Sequence, residues 1–597
     1  MSTPSADLFT EPGLRKVEKV PRLEALSLSP LFGAAPGGVG GKDAKRATES
    51  AHRTSASLIA APLRSVLQVL CIGMACTAAC QDGSTVTPPT PRSLLCRIDQ
   101  PPPYADSSYV SNHADAENTN YVACRGPLSF EPDWYVLRTH LAAQPNTFSI
   151  DGGVTYVTTT PGSDGSTVHA VETQTGRTKW QRSDFTLAVA ASSVEVAHDG
   201  LLYVSDRATV SCLRDVDGAL VWSATLPDKE EPGLTYGLKL TPGDHVVTQV
   251  SNGTVYLLDR FNGAIEAMLD VAARTGYVPP APQPVPVSLM PPFMRSRFAL
   301  LLGTDDPDAL EELIAGLFGA SGAFADNTVC VTRRGQVFTV GGGPTPETGA
   351  LVAIDILGED EHSPSLELAW TAELRSGSAS SVVALNGGER VVLADGAGTI
   401  HLYDAEACNR NVDTDPDPTA CHPAWTFEQP GTVPGALSVD PRGHIYFIVG
   451  GKGRRAAAYG LEDRGDRAEL LWERRYDEGE QFSTVLTVTE NAIYGLLTRV
   501  EPLEVLGRPV YLPGIPMPLP AAPILNRAVA LDPETGEIVW SVPAPNSSIT
   551  ELIPSPTGDL FLTMAGGAEI LVADPEAPDP QAGLMRLRPA GVVARTE

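Results

Sequence analysis

The chain has 597 residues, with 43 Lys and Arg against 72 Asp and Glu and a formal net charge of −29. That balance, with a pI near 4.7, argues against a nucleic-acid surface, which needs basic patches to meet phosphate, and against adsorption onto anionic lipid. The 55 glycines and 52 prolines suit a turn-rich, all-β chain.

Residues 1–62 are rich in Ser, Ala, Gly and Pro and carry no sustained period. They read as disordered, or as the product of a start codon placed too early. Arg64 then precedes the apolar run 65–79, within the segment 63–80. The run is too short to span a bilayer comfortably. A basic residue, an apolar core and small residues before a cleavage point make a secretory signal. Thr77-Ala78-Ala79-Cys80 resembles a bacterial lipoprotein signal, in which the cysteine becomes the acylated first residue. Thr77 stands where that family prefers Leu, Cys76 is a second candidate, and a buried helix of an N-terminal domain is the alternative. Residues 81–95 begin as a polar, Pro-rich tether. Gln81 after the cysteine, by the same resemblance, suits outer-membrane sorting.

Export permits disulfides. Cys408 and Cys421 bracket a loop without an apolar core, and Cys96 and Cys124 bracket the N-terminal lead-in 96–147. Each couple is therefore paired, although spacing alone does not fix connectivity. Cys212 and Cys330 lie in β-prone runs and read as buried thiols. No C-x-x-C pair occurs, which argues against a zinc ribbon or a thioredoxin-like site.

From residue 148 the chain repeats itself. Ala528-Val-Ala-Leu-Asp-Pro-Glu-Thr-Gly536 leads to Trp540, and His169 to Gly176 leads to Trp180. Cys212 to Gly218 leads to Trp222, and Tyr256 to Gly263 leads to Ala267, where the aromatic is lost. Weaker copies end at Trp370, Trp425 and Trp472. Each copy is two short strands around a turn, and such a hairpin needs neighbours like itself to bury its apolar face. The pattern resembles the PQQ-type β-propeller repeat. It predicts an all-β, eight-bladed β-propeller of four-stranded antiparallel blades over 148–590, with seven blades as the alternative count. The blades are expected near 148–182, 194–226, 236–270, 323–373, 380–427, 435–476, 483–542 and 549–590. The stretch His113 to Asn120, followed by Gly126-Pro127 and Trp134, resembles the lead-in of PQQ-like propellers. Trp134 to Leu137 is assigned as the strand that closes the ring, with Leu584 to Leu587 as the alternative.

Two apolar insertions, 277–322 and 505–523, interrupt the repeat. The first is expected to end in a helix; the second reads as irregular. In an antiparallel blade both emerge on one face. Met290, Phe293, Met294, Phe318, Tyr511, Leu512, Ile515 and Met517 either pack on one another and plug the ring or form a partner-binding patch. Asp413, Asp415 and Asp417 alternate inside the 408–421 loop and could offer oxygen ligands to Ca²⁺, although the turn Gly and distal Glu of an EF-hand are missing. Asp259, Asp355, Asp404 and Asp532 read as turn residues, and His113, His169, His198, His245, His401 and His444 as ordinary strand or turn residues.

PQQ-dependent dehydrogenases share this repeat, and the resemblance would imply a quinone and Ca²⁺ in a central pocket of Glu, Asn and Asp, with an Asp base. No cation-site motif, adjacent cysteine pair or C-x-x-C-H haem site is found here. The reading is a non-enzymatic, lipid-anchored envelope lipoprotein without a cofactor, monomeric, binding another envelope protein. It is similar in architecture to the BamB-type lipoproteins that assist outer-membrane barrel assembly. The ring centre is expected to be empty. A buried cluster of acid and amide groups there would instead favour a quinoprotein dehydrogenase. A carbohydrate or small-ligand receptor is the third reading.

Overall fold

Two compact units, residues 1–88 and 89–597, divide the chain in the computed structural model. The structure describes residues 96–590 of the second unit with interruptions, the longest at 279–323, 510–524 and 566–581. Eight sheets carry the blades of a propeller. Seven are built from consecutive strands over 147–182, 195–225, 235–270, 330–374, 383–427, 438–475 and 480–544. In the seventh blade the first strand is split into Glu480–Phe482 and Thr487–Val488, which both pair with Ile493–Arg499.

The eighth blade takes Ser548–Pro554, Leu560–Ala565 and Ala582–Pro589, and receives Phe130–Val136 as its outer strand. Trp134 faces Arg586 and Val136 faces Leu584. The N-terminal strand therefore closes the ring as assigned, and 584–587 lies inside the third strand rather than closing the blade itself. The closing strand begins four residues earlier than expected, and Leu137 ends it with φ 59°.

Strand composition follows position in the blade. Second strands such as His245–Val250 and His444–Val449 are buried along their whole length. Outer strands are exposed except where a large side chain points inward, as Trp180 does in Thr178–Arg182. That inward Trp joins blade to blade. The indole N–H of Trp180 donates to the Asp215 carbonyl at 2.8 Å, Trp222 to Arg260 at 2.9 Å, and Trp472 to Pro533 at 2.8 Å. Each acceptor lies in the outer turn of the next blade. Gly218, Gly263 and Gly536 in those turns hold φ of 68°, 74° and 68°. A Cβ on them would come within 2.6, 2.5 and 2.4 Å of the neighbouring indole, so glycine is needed for both conformation and space. A Cβ on Gly176 of the first blade would come within 3.0 Å of the Trp134 indole, whose N–H, unlike the other three, has no partner among the described residues.

Local readings need correction in three places. The stretch after Asp404 is not a plain loop: Ala405–Thr414 is a helix, and Asp404 accepts from the Ala407 N–H at 2.7 Å at its start. The helix presents Asn409 to the Trp370 indole at 2.7 Å, replacing the usual turn. Asp355 lies within the strand Gly349–Leu357 and accepts from Gln336, so it is not a turn residue. The insertion after Arg499 begins with a short ladder of Glu504–Val505 on Arg508–Pro509. Among the described residues no helix is long and apolar enough to cross a membrane.

Candidate functional site

The ring centre is not empty. Residues 104–122 belong to no blade and run along the inner strands in chain order. The Tyr109 carbonyl accepts from Phe148 N–H of the first blade at 2.9 Å, and Val110 from Val196 of the second at 2.8 Å. Ala116 accepts from Val331 of the fourth blade at 2.8 Å and Glu117 from Ala384 of the fifth at 2.9 Å. Thr119 accepts from Val439 of the sixth at 3.0 Å and Asn120 from Val488 of the seventh at 2.8 Å. First-strand N–H groups that face the axis need such partners, because buried donors left unpaired are costly.

The path around the axis is tight. His113, Ala114, Asn118 and Asn120 hold φ of 60°, 75°, 59° and 53°. Outside glycine this region costs about 1 kcal/mol or more per residue, and Asn tolerates it best. Side-chain amides hold the path in place. Asn112 donates to Thr328 Oγ1 at 2.9 Å, and Asn118 to the Val329 and Val382 carbonyls at 3.2 and 2.9 Å, joining blades four and five. Asn120 donates to the Leu437 carbonyl at 3.0 Å.

The third blade contributes a cation. Lys239 is 0% exposed and spends its three N–H bonds on Ser111 Oγ at 2.5 Å and the carbonyls of Asn112 and Asp115 at 2.6 and 2.7 Å. Ser111 in turn donates to Glu195 at 3.0 Å, and Tyr104 donates to the same carboxyl at 3.2 Å. Burial lowers the Lys239 pKa, opposed by Glu195 and Asp115. Burial raises Glu195 to about 7.

Three further acids sit at the centre. Burial raises Asp115, which accepts from the Thr119 N–H and hydroxyl at 3.0 and 2.5 Å. Glu117 is raised to about 7 by burial and then by Asp115, against the pull of Arg333, whose Nε lies at 3.4 Å. Glu551 of the eighth blade is raised to about 8 by burial, and its Oε2 has no partner among the described residues. His113 lies between Asn120 Oδ1 at 3.3 Å and Ser381 Oγ at 3.2 Å, with Glu551 at 3.9 Å. Burial lowers it to about 3, so it is held neutral. His113 is thus an axial residue rather than an ordinary turn residue.

Buried acids with raised pKa values beside an amine and a histidine are the raw material of proton-transfer chemistry. Here their partners are the chain's own inner strands and axial segment. The segment residues Tyr109, Ser111, Asn118 and Asn120 are fully buried. The quinone that the repeat resemblance implies would need the axial space these side chains and carbonyls fill. The residues present do not fit that group.

The other expected site residues fall out as follows. Cys96 bonds to Cys124 and Cys408 to Cys421, with Cα separations of 4.7 and 5.1 Å. Cys212 and Cys330 are buried free thiols. Asp413 falls inside the helix Ala405–Thr414. Cys80, Asp415, Asp417, Met290, Phe293, Met294, Phe318, Tyr511, Leu512, Ile515 and Met517 lie outside the described residues. Among the described residues no three His, Cys, Asp or Glu side chains are placed to hold a metal ion. Sequence reasoning missed Lys239, Glu195 and Glu551. Each is a lone charge in a short first strand of otherwise uncharged residues, and that repeated oddity was the available signal.

Comparison with known proteins agrees with the repeat. The family model described as outer membrane protein assembly factor BamB matches residues 135–233. The quinohemoprotein alcohol dehydrogenase ADHIIG of Pseudomonas putida HK5 is 12% identical, with a TM-score of 0.46, covering 81% of this chain and 80% of that one. The quinohemoprotein alcohol dehydrogenase of Comamonas testosteroni is 12% identical, with a TM-score of 0.45, covering 82% and 81%. BamB of Moraxella catarrhalis is 13% identical, with a TM-score of 0.36, covering 63% of this chain and 93% of that one. No curated protein matches the chain. The repeat is PQQ-like and the architecture is that of an eight-bladed propeller.

Proposed function

We propose that the chain is a non-enzymatic, exported envelope lipoprotein whose propeller is a scaffold for another envelope protein. One observation carries the non-catalytic part: the axis is occupied by the chain's own residues 104–122, bonded to the inner strands. Binding is then left to the faces, on which the repeat pattern leads us to expect the insertions 277–322 and 505–523. The match of residues 135–233 to the outer-membrane assembly factor family supports the envelope setting. Crosslinking in the native envelope followed by mass spectrometry tests the scaffold reading. It should recover an envelope protein joined to 505–523, and deletion of that insertion should abolish capture with the fold intact. Unchanged capture removes that face.

The acid and amide groups around the axis favour the dehydrogenase as the second reading. Reconstitution with PQQ and Ca²⁺, followed by an alcohol and sugar oxidation assay, separates the two. The scaffold reading expects no turnover.

A further inference from the structure

The two ends of the axial segment leave the ring at one seam. Cys96 N–H donates to the Pro556 carbonyl of the eighth blade at 3.3 Å, and Glu490 N–H of the seventh donates to the Cys124 carbonyl at 3.0 Å. Arg97 and Ala123 form an antiparallel bridge beside them. The disulfide joins Cys96 to Cys124 here. Residues 96–124 thus form a covalently closed loop hung from one seam, with its middle inside the ring.

The two ends are held unequally. Beyond Cys124, Asn491 donates to the Gly126 carbonyl at 3.0 Å and Tyr494 to the Pro127 carbonyl at 2.9 Å. The chain then enters the eighth blade as Phe130–Val136. The Cys96 end enters no ladder. Its described ties beside the disulfide are the Pro556 bond, the Arg97–Ala123 bridge, the Ile98 N–H bond to Ser107 at 2.8 Å and the exposed Arg97–Asp106 pair. Further in, the Pro103 carbonyl accepts from the His198 N–H at 2.8 Å, Tyr104 bridges Ala197 and the Ala105 N–H donates to the Val196 carbonyl at 3.0 Å, all on the second blade. The blades close through Trp134 and Phe130–Val136, downstream of the disulfide. Ring closure and axial filling are therefore separable.

We propose that Cys96–Cys124 is a redox latch on the axial segment. Oxidised, it fixes the segment in the ring. A dithiol reductant breaks the S–S bond, supplying two electrons and two protons, and is itself oxidised to a disulfide. The Cys96 end then withdraws, uncovering the inner-strand amides of Phe148 and Val196 while the eight blades stand.

Hydrogen exchange read by mass spectrometry on the full chain tests this, comparing the oxidised protein, the dithiothreitol-treated protein and the C96S/C124S double variant. Thiol counting follows reduction to completion, because Cys96 and Cys124 are buried. Peptides carrying residues 104–112, Phe148 and Val196 should exchange about tenfold faster or more after reduction, while outer-strand peptides from 178–182 and 220–225 change by less than about twofold. Unchanged axial exchange overturns the proposal, since blade contacts alone would then hold the segment. Acceleration throughout the ring also overturns it, making the bond a staple of the whole fold. The C408S/C421S variant should leave the axial peptides unaffected; axial acceleration there would count against a latch at 96–124.

Discussion

The ammonium of Lys239 donates to the backbone carbonyl of Asp115 at 2.7 Å, on the axis of the ring. With its bonds to Ser111 and the Asn112 carbonyl it straddles His113 and Ala114, where the segment turns through positive φ. One side chain thus fastens the sharpest part of the axial path to the third blade. Lys239→Met should strip the Ser111 hydroxyl and the Asn112 and Asp115 carbonyls of a donor, and take the nearby positive charge from Glu195. Losing one partner of a buried charged network costs about 3–5 kcal/mol. Urea unfolding should show that loss, and adding Glu195→Gln should recover part of it. A loss under about 1 kcal/mol would mean the network does not hold the segment.

The axial acids set a pH dependence. Glu195 and Glu117 are raised to about 7 and Glu551 to about 8. A folded pKa above the unfolded one means that the folded state binds the proton more tightly. The contribution is complete below the unfolded value near 4.5 and is lost as pH rises through the folded values. Their part of the stability should therefore fall from about pH 5 to about pH 8. His113, lowered to about 3, acts oppositely: its contribution is complete above 6.5 and is lost as pH falls through about 3. Thermal unfolding across pH checks this, and Glu551→Gln should flatten the upper end of the decline. A profile rising steadily over that range, unaltered by Glu551→Gln, would contradict the placement of these acids.

Blade junctions should be equivalent wherever the indole meets glycine. Trp222→Ala and Trp134→Ala should each cost about 3 kcal/mol, in the range for truncating a packed aromatic. Gly263→Val should cost at least as much, because it adds a clash with Trp222 at a residue holding φ 74°. Denaturation midpoints measure all three. If Trp134→Ala were silent while Trp222→Ala was not, the first-to-last blade seam would be held by something else.

The ring was legible because its signal is local and repeated. The turn glycines and the tryptophans four residues later mark blade seams, and the spacing needs no knowledge of distant contacts. Of the axial segment only His113 to Asn120 was legible, as a polar lead-in resembling that of PQQ-like propellers, and not as the filling of the axis. Its partners, Thr328, Val382, Leu437 and Glu551, lie more than 200 residues downstream. Nothing in residues 104–122 alone says that eight inner strands converge on them. The helix Ala405–Thr414 was missed because the stretch after Asp404 reads as an insertion without an apolar core, and Asp404 suits either as turn residue or as N-cap. Asn409, which meets Trp370, becomes meaningful only once that helix is seen.

The anchor is tested separately. If Cys80 is the acylated residue, Cys80→Ser should move the protein from the membrane fraction to the soluble one. Membrane fractionation reads the outcome, and retention would mean that another tether holds it.

The most direct measurement is a crystal structure of the full chain grown with PQQ and Ca²⁺ in excess. Density for residues 104–122 along the axis, with Lys239 on the Asp115 carbonyl and no quinone among them, is the expected result. A quinone stacked at the centre with that segment displaced would contradict the account.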